Sequence, residues 1–230
     1  MKTRNYTFTS PKLQKQYKIA VLSDFHNSKF ERILQSLDTD IDYIVMPGDF
    51  CVRYTGGKRH RVVPFLQHLS KIAPVYCSLG NHDVVSMQRQ EFYDMVKNGG
   101  ATPLLDEFIV LNDLQIAGWY NYKQKASFPP QDLYAEDKFC ILLSHKPEWY
   151  FSHLQQTDFD LIISGHAHGG QVRLFGQGIL APGQGLFPKY VQGIYDNRLL
   201  VSAGIGNPVC LPRFGNPKEI LYVHLLPTTK

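Results

Sequence analysis

Five short segments carrying histidine or aspartate sit at the ends of apolar runs: Asp24-Phe25-His26, Gly48-Asp49, Gly80-Asn81-His82-Asp83, His145 and Gly165-His166-Ala167-His168-Gly169-Gly170. Asp and His are poor core residues but good ligands for hard and borderline divalent cations. A chain that delivers them repeatedly from buried strands is constrained to bring several strand ends together. In Asp24-Phe25-His26 an extended backbone puts the two polar side chains on one side and Phe25 on the other, and His166-Ala167-His168 repeats that geometry. One such pair means little. Two pairs with Gly-Asp and Gly-Asn-His-Asp, all after apolar runs, form a specific combination that points to a two-metal hydrolytic centre.

The order of elements supports an α/β layered sheet. Ile19 to Ser23 is a buried strand ending at Asp24, followed by a helical stretch from Lys29 to Leu37. Tyr43 to Met46 is the next strand, and Pro47-Gly48 turns the chain so that Asp49 projects. Val62, Phe65, Leu66 and Leu69 mark a second helix. Pro74 to Leu79 leads into Gly80-Asn81-His82-Asp83, and Ser86 caps a third helix through Lys97, stopped at Asn98-Gly99-Gly100. Strand, ligand-bearing loop and helix thus recur three times, which places the chemistry at C-terminal strand ends. The hairpin Phe108–Leu111 and Leu114–Gly118 follows, then a polar stretch from Lys123 to Lys138 that reads as a loop. Phe139 to Leu143 ends at His145, Glu148 to Leu154 reads as helix, and Leu161 to Ile163 ends at Gly165-His166. The last third is rich in strands and turns, with Gln171–Phe175, Arg198–Ser202 and Ile220–Leu225.

A length of 230 residues suits one domain spanning 1–230, with residues 1–17 a polar N-terminal extension. Those residues are too polar for a signal peptide, and no later run approaches the ~20 apolar residues of a membrane span. The expected location is therefore cytoplasmic, with peripheral membrane contact as the alternative. A formal charge of +4 fits an anionic substrate but does not argue for nucleic acid. Cys51, Cys77, Cys140 and Cys210 form no CxxC pair, and Cys77 and Cys140, within apolar runs, read as small buried hydrophobes. Lys58-Arg59-His60-Arg61 reads as a solvated turn, and His60, His68, His153 and His224 as ordinary histidines. No specific protein partner is implied.

In their order Asp-x-His, Gly-Asp, Gly-Asn-His, His and Gly-His-x-His, these segments resemble the calcineurin-like metallophosphoesterases. The likeness runs from about residue 18 to the C-terminus. The extension Gly-His-x-His-Gly-Gly-Gln at 165–171, the stretch Gly183 to Gly193 and Ser202-Ala203-Gly204-Ile205-Gly206 resemble bacterial cell-envelope-related members. The resemblance implies a four-layer αββα sandwich with two facing mixed sheets. It also implies that Asp24, His26 and His168 bind one cation, that Asn81, His145 and His166 bind another, and that Asp49 bridges them. Such a bridge offsets repulsion between cations roughly 3.5–4 Å apart. His82 is then the catalytic acid beside the substrate, with Asp83 orienting its imidazole. Mn, Fe or Zn suits the N/O donor set.

The reaction implied is hydrolysis of a phosphodiester or pyrophosphate-containing small molecule or a lipid-linked substrate. The alternatives are a phosphomonoesterase and a metal-stabilised phosphate-binding protein with little turnover. The serine/threonine phosphatases of the superfamily extend the second motif as Gly-Asp-x-Val-Asp-Arg-Gly, whereas this chain reads Gly48-Asp49-Phe50-Cys51-Val52-Arg53-Tyr54, which disfavours a phosphoprotein substrate. Trp119-Tyr120-Asn121-Tyr122 follows a strand-like run. Packing is its default role, and Trp119 and Tyr120 are also candidates for contact with the organic part of a substrate.

Overall fold

The computed structural model describes residues 1–53, 58–120, 130–207 and 212–228. Its strands are β1 (Lys2–Ser10), β2 (Tyr17–Val21), β3 (Tyr43–Pro47), β4 (Val75–Ser78), β5 (Thr102–Pro103), β6 (Glu107–Leu111), β7 (Leu114–Gly118), β8 (Phe139–Leu143) and β9 (Leu161–Ser164). Two small hairpins follow, β10 (Arg173–Leu174) with β11 (Gln177–Gly178) and β12 (Leu180–Ala181) with β13 (Gly185–Leu186). The chain ends through β14 (Gly193–Tyr195), β15 (Leu199–Val201) and β16 (Glu219–Pro227). The helices are α1 (Glu31–Gln35), α2 (Val62–Leu69), α3 (Asn81–Ser86) and α4 (Arg89–Asn98).

Two six-stranded mixed sheets result, ordered β1-β16-β2-β3-β4-β5 and β14-β15-β9-β8-β7-β6. Strand alternation decides the layers. Ile19 and Val21 of β2 face a core shared with Ile116 of β7 and Ile141 and Leu143 of β8, so the sheets pack face to face. Ala20 of β2, Ile44 and Met46 of β3 and Cys77 of β4 face the other way, onto Ile33 of α1, Phe65 and Leu66 of α2 and Phe92 of α4. Beyond the second sheet, Ala117, Leu142 and Ile162 meet Trp119, Leu133, Tyr150 and Phe159. That outer layer is mostly irregular: where Glu148–Leu154 is expected to be helical, only a π-helical turn over Tyr150–Leu154 forms. The expected αββα order is otherwise present.

Several expected boundaries are corrected. Residues 1–17 are not simply an extension, because Lys2–Ser10 pairs in parallel with β16 along its whole length. Tyr6 and Phe8 supply its inward face and pack on the inter-sheet core. The first helix shrinks from 29–37 to Glu31–Gln35. The third, expected after Ser86, begins at Arg89 as α4, where the Gln88 N–H is taken by the Glu91 carboxylate at 2.9 Å, and a separate helix α3 forms before it over Asn81–Ser86. Cys77 and Cys140 are buried free thiols, as expected, and so is Cys51, while Cys210, Tyr54, residues 121–122 and residues 123–129 of the Lys123–Lys138 stretch lie outside the described residues. No helix among the described residues is long and apolar enough to cross a membrane.

Candidate metal centre

The central strands run parallel in both sheets, β2-β3-β4 in one and β7-β8-β9 in the other. Five of them, β2, β3, β4, β8 and β9, each release one of the five segments at their C-terminal ends, and β7 releases Trp119-Tyr120. Close backbone approach joins them. The N–H of Asp24 donates to Gly48 O at 3.1 Å, that of His26 to Asp49 O at 3.0 Å, and that of Gly165 to His145 O at 3.0 Å. Across the sheets, the His166 N–H donates to Asp24 Oδ1 at 3.0 Å. Two glycines are required here: a Cβ at Gly80 would overlap the Asp49 carboxylate, and one at Gly165 would overlap that of Asp24.

The backbone at this edge is left-handed. Asp24 (φ 55°), His26 (46°), Asn27 (48°), Asp49 (59°), His166 (67°) and His168 (48°) all carry positive φ. Asp, Asn and His tolerate that region better than other side chains. It turns the chain sharply after β2, β3 and β9.

Three groups of donor atoms result, each within 4.8 Å of one another: Asp24, His26 and His168; His26, Asp49 and His82; and Asp49, His145 and His166. His26 Nε2 lies 3.3 Å from His168 Nε2 and 3.6 Å from Asp49 Oδ2. His145 Nε2 lies 3.2 Å from the same Asp49 oxygen and 3.1 Å from Asn81 Oδ1. Asp49 Oδ2 is buried and accepts no hydrogen bond, whereas Oδ1 takes the His82 N–H at 2.8 Å. An orphaned carboxylate oxygen between two histidine sets fits a cation on each side of it. The rings are aimed accordingly: His26 Nδ1 is held by Cys51 O at 2.9 Å and His145 Nδ1 by Pro47 O at 2.7 Å, leaving both Nε2 atoms facing inward. All seven expected ligands are thus brought together, with His82 close enough to count as an eighth donor.

The electrostatics of the bare cluster differ sharply between these two histidines. Burial lowers His26 to about 4 against the pull of Asp49, which raises it. For His145 burial acts in the same direction, but Asp49 and Asp24 outweigh it and hold the ring up at about 9. His145 thus supplies positive charge that cations would otherwise supply.

Asp83 does not orient His82. Its carboxylate accepts the N–H groups of Asp49 (2.8 Å) and Gly80 (3.0 Å) on Oδ2, and those of Phe50 (2.9 Å) and Cys51 (3.0 Å) on Oδ1. The expected loop Asn81-His82-Asp83 is instead the first turn of α3, and this bends the Asp83 carboxylate back over the Gly48-Asp49 loop. Burial and the neighbouring Asp49 push its carboxyl up to about 7, against the Gly80 and Cys51 N–H bonds. His82 Nδ1 accepts the Arg53 N–H at 3.2 Å, so a neutral ring carries its proton on Nε2, 4.0 Å from Asp49 Oδ2. A protonated His82 would set Nδ1–H against that donor. The contact favours a hydrogen-bonding imidazole over a proton-donating imidazolium.

Trp119 is only 2% exposed and packs edge-on to Trp149 with ring centroids 5.6 Å apart. Tyr120 is partly exposed beside Arg89, 5.9 Å from its ring centroid. Both line a cavity of about 20 Å³ that also reaches Asn81, His145 and Lys146. This is room for one water rather than an organic group. Trp119 therefore takes the packing role, and Tyr120 keeps access to the edge.

Three side chains near the centre escaped the sequence reading. Glu148 Oε1 lies 3.6 Å from His166 Nε2, while its Oε2 is buried without a partner. Its position three residues after His145 is the available signal. Arg213 Nη2 lies 3.0 Å from His168 Nδ1 and donates to Gly206 O at 2.6 Å, and Asn216 donates to His168 O. Nothing local in the sequence marks these two. Arg61, read as part of a solvated turn, grips the Asn27 carbonyl through Nη1 at 3.1 Å and so supports the loop after His26.

An uncharacterized metallophosphoesterase of Helicobacter pylori is 27% identical over 94% of this chain and 61% of its own length. Uncharacterized metallophosphoesterase YkuE of Bacillus subtilis is 30% identical over 83% of this chain and 72% of its own. Phosphodiesterase YaeI of Escherichia coli is 25% identical over 69% and 63%. The chain thus spans about three fifths of the Helicobacter relative. The family model for calcineurin-like phosphoesterases matches residues 17–170, the span that contains all seven expected ligands, and the chain belongs to that family.

Proposed function

We propose that the chain is a two-cation phosphoric ester hydrolase acting on a phosphodiester or a pyrophosphate-containing molecule, either free or lipid-linked. The observation that carries this reading is the single buried Asp49 Oδ2 facing His26 on one side and His145 on the other. Asp24, His26 and His168 would hold one cation, Asn81, His145 and His166 the other, and Asp49 would contribute to both. Mn, Fe or Zn suits these donors. Bound there, the cations supply positive charge for the phosphoryl oxygens and acidify a water.

The protein's own residues do the rest. Asp83 fixes the backbone of the Asp49 loop, which keeps the shared carboxylate between the two histidine sets. Asn81 contributes an oxygen without charge, so the neutral imidazoles and the amide leave the site attractive to an anion. His82 presents Nε2–H toward the same space and hydrogen-bonds a phosphoryl or leaving oxygen. Tyr120 and Lys146 border the entrance beside Asn81. The name of the Escherichia coli relative favours a diester over a monoester. Protein reconstituted with each metal is expected to hydrolyse bis-p-nitrophenyl phosphate faster than p-nitrophenyl phosphate. The reverse order would make it a phosphomonoesterase. No turnover of either, nor of a broad panel of natural phosphoesters, would leave a phosphate-binding protein.

A further inference from the structure

The two hairpins that follow the last metal-binding segment are unusual in what they expose. Phe175 at the β10–β11 tip is fully exposed, and Leu186 and Phe187 are each 69% exposed. Leu174, Leu180 and Phe214 add three further apolar side chains to solvent. Backbone hydrogen bonds join the segments that carry them: Arg173 N–H donates to Phe214 O at 2.8 Å, and Phe187 N–H donates to Ile179 O at 2.9 Å. Exposed apolar side chains gathered on joined segments mark a candidate interaction surface.

Charge specifies the partner. Arg173 and Lys189 are the cations carried by the hairpins and the segment that follows them, and no acid lies between Gln171 and Tyr195. Neither cation lies within ion-pair distance of a carboxylate among the described residues. Arg173 and Lys189 flank a cleft of about 400 Å³ whose wall includes Phe187, Gln192 and Tyr195. Aromatic and aliphatic tips with cations set behind them match the boundary between lipid headgroups and acyl chains.

We propose that this hairpin face docks on an anionic bilayer, with Phe175, Leu186 and Phe187 at the acyl boundary and Arg173 and Lys189 on lipid phosphates. The metal centre would then sit at the membrane surface. The hairpins begin just after His168: the backbone of Gly178 packs against Gly170, and Arg173 Nη1 approaches Gly169 O at 3.4 Å. The proposal goes beyond the phosphoesterase reading and does not depend on turnover.

Flotation with phosphatidylcholine vesicles, with and without phosphatidylglycerol, tests it. The full chain is expected to float with the anionic vesicles and not with phosphatidylcholine alone. The double variant Phe175→Ser/Phe187→Ser is expected to lose binding about tenfold or more, from the apolar area withdrawn, and Lys189→Glu to weaken it further. Turnover of a water-soluble diester should stay at the parent value in all variants, which separates this face from the metal centre. Failure of the parent to float, or full binding by the double variant, overturns the proposal. A parent dimer in sedimentation velocity that the double variant dissociates would overturn it in favour of a second copy of the chain.

Discussion

Asp83→Asn is expected to unfold the protein more readily without touching a metal ligand. The Asp83 carboxylate accepts four backbone N–H bonds at 2.8 to 3.0 Å, two on each oxygen, and is fully buried. An amide of the same shape replaces one oxygen with an NH2 group, so two of the four donors lose their acceptor and face another donor. A buried donor left unpaired costs about 1–3 kcal/mol, which gives a loss of roughly 4 kcal/mol, a large part of the ~5–15 kcal/mol that holds a domain together. Urea unfolding of chelator-treated protein above about pH 8, where the Asp83 carboxyl held up at about 7 is ionised, measures it as a drop in midpoint at unchanged slope. His82→Ala is the control, because it removes one hydrogen bond from the Arg53 N–H and is expected to cost only about 1 kcal/mol. If Asp83→Asn remained within about 1 kcal/mol of the parent, the four-bond clamp would be wrong. A purely catalytic pairing with His82 would then be the better account.

Asp49→Asn should lower occupancy at both cation positions in elemental analysis, whereas a His145 variant should lower mainly one and a His168 variant the other; an Asp49 variant with both positions full would remove the bridging role. His82→Ala should reduce turnover about 10²–10³-fold and by a similar factor for nitrophenolate and alkoxide leaving groups, as expected of an Nε2–H hydrogen-bond donor. A loss that steepens with leaving-group pKa would restore the general-acid role. Tyr120→Ala should change relative kcat/KM across diesters with different organic groups at unchanged metal content. Trp119→Ala, which empties a buried site beside Trp149, should instead lower stability by about 3–5 kcal/mol, and a Trp119 variant altered in selectivity but not in stability would reverse that division.

The site was legible because its chemistry is local in sequence. Each of the five segments follows an apolar run of its own, so Asp24, His26, Asp49, Asn81, His145, His166 and His168 are placed at strand ends by sequence alone. What those ends lean on was not legible. Arg213 reaches His168 from 45 residues away, through a turn with no periodicity to announce it. Asp83 looked like a partner of its neighbour His82 because adjacency is all a sequence displays, and only the first turn of α3 reveals that its carboxylate faces backward. β1 was missed for a different reason. Its outward residues are polar, as suits an edge strand, and the alternation of Tyr6 and Phe8 is too short a signal beside Lys2 and Arg4.

The composition of the ligand set is itself a folding argument. Left-handed backbone costs an ordinary side chain roughly 1–2 kcal/mol per residue, and five of the seven expected ligands adopt it. Glycine would remove the strain but has no donor atom, and the β-branched residues that favour the preceding strands would increase it. Asp, Asn and His are the side chains that both tolerate this conformation and bind cations. The strain is held by bonds between the segments themselves, since Asp24, His26 and Asn27 donate to the carbonyls of Gly48, Asp49 and Phe50. The loops after β2 and β3 therefore stabilise each other before any cation arrives. Asp83, holding the N–H groups of the same Asp49-Phe50-Cys51 stretch from the opposite side, completes the frame in which Asp49 Oδ2 is left facing both histidine sets.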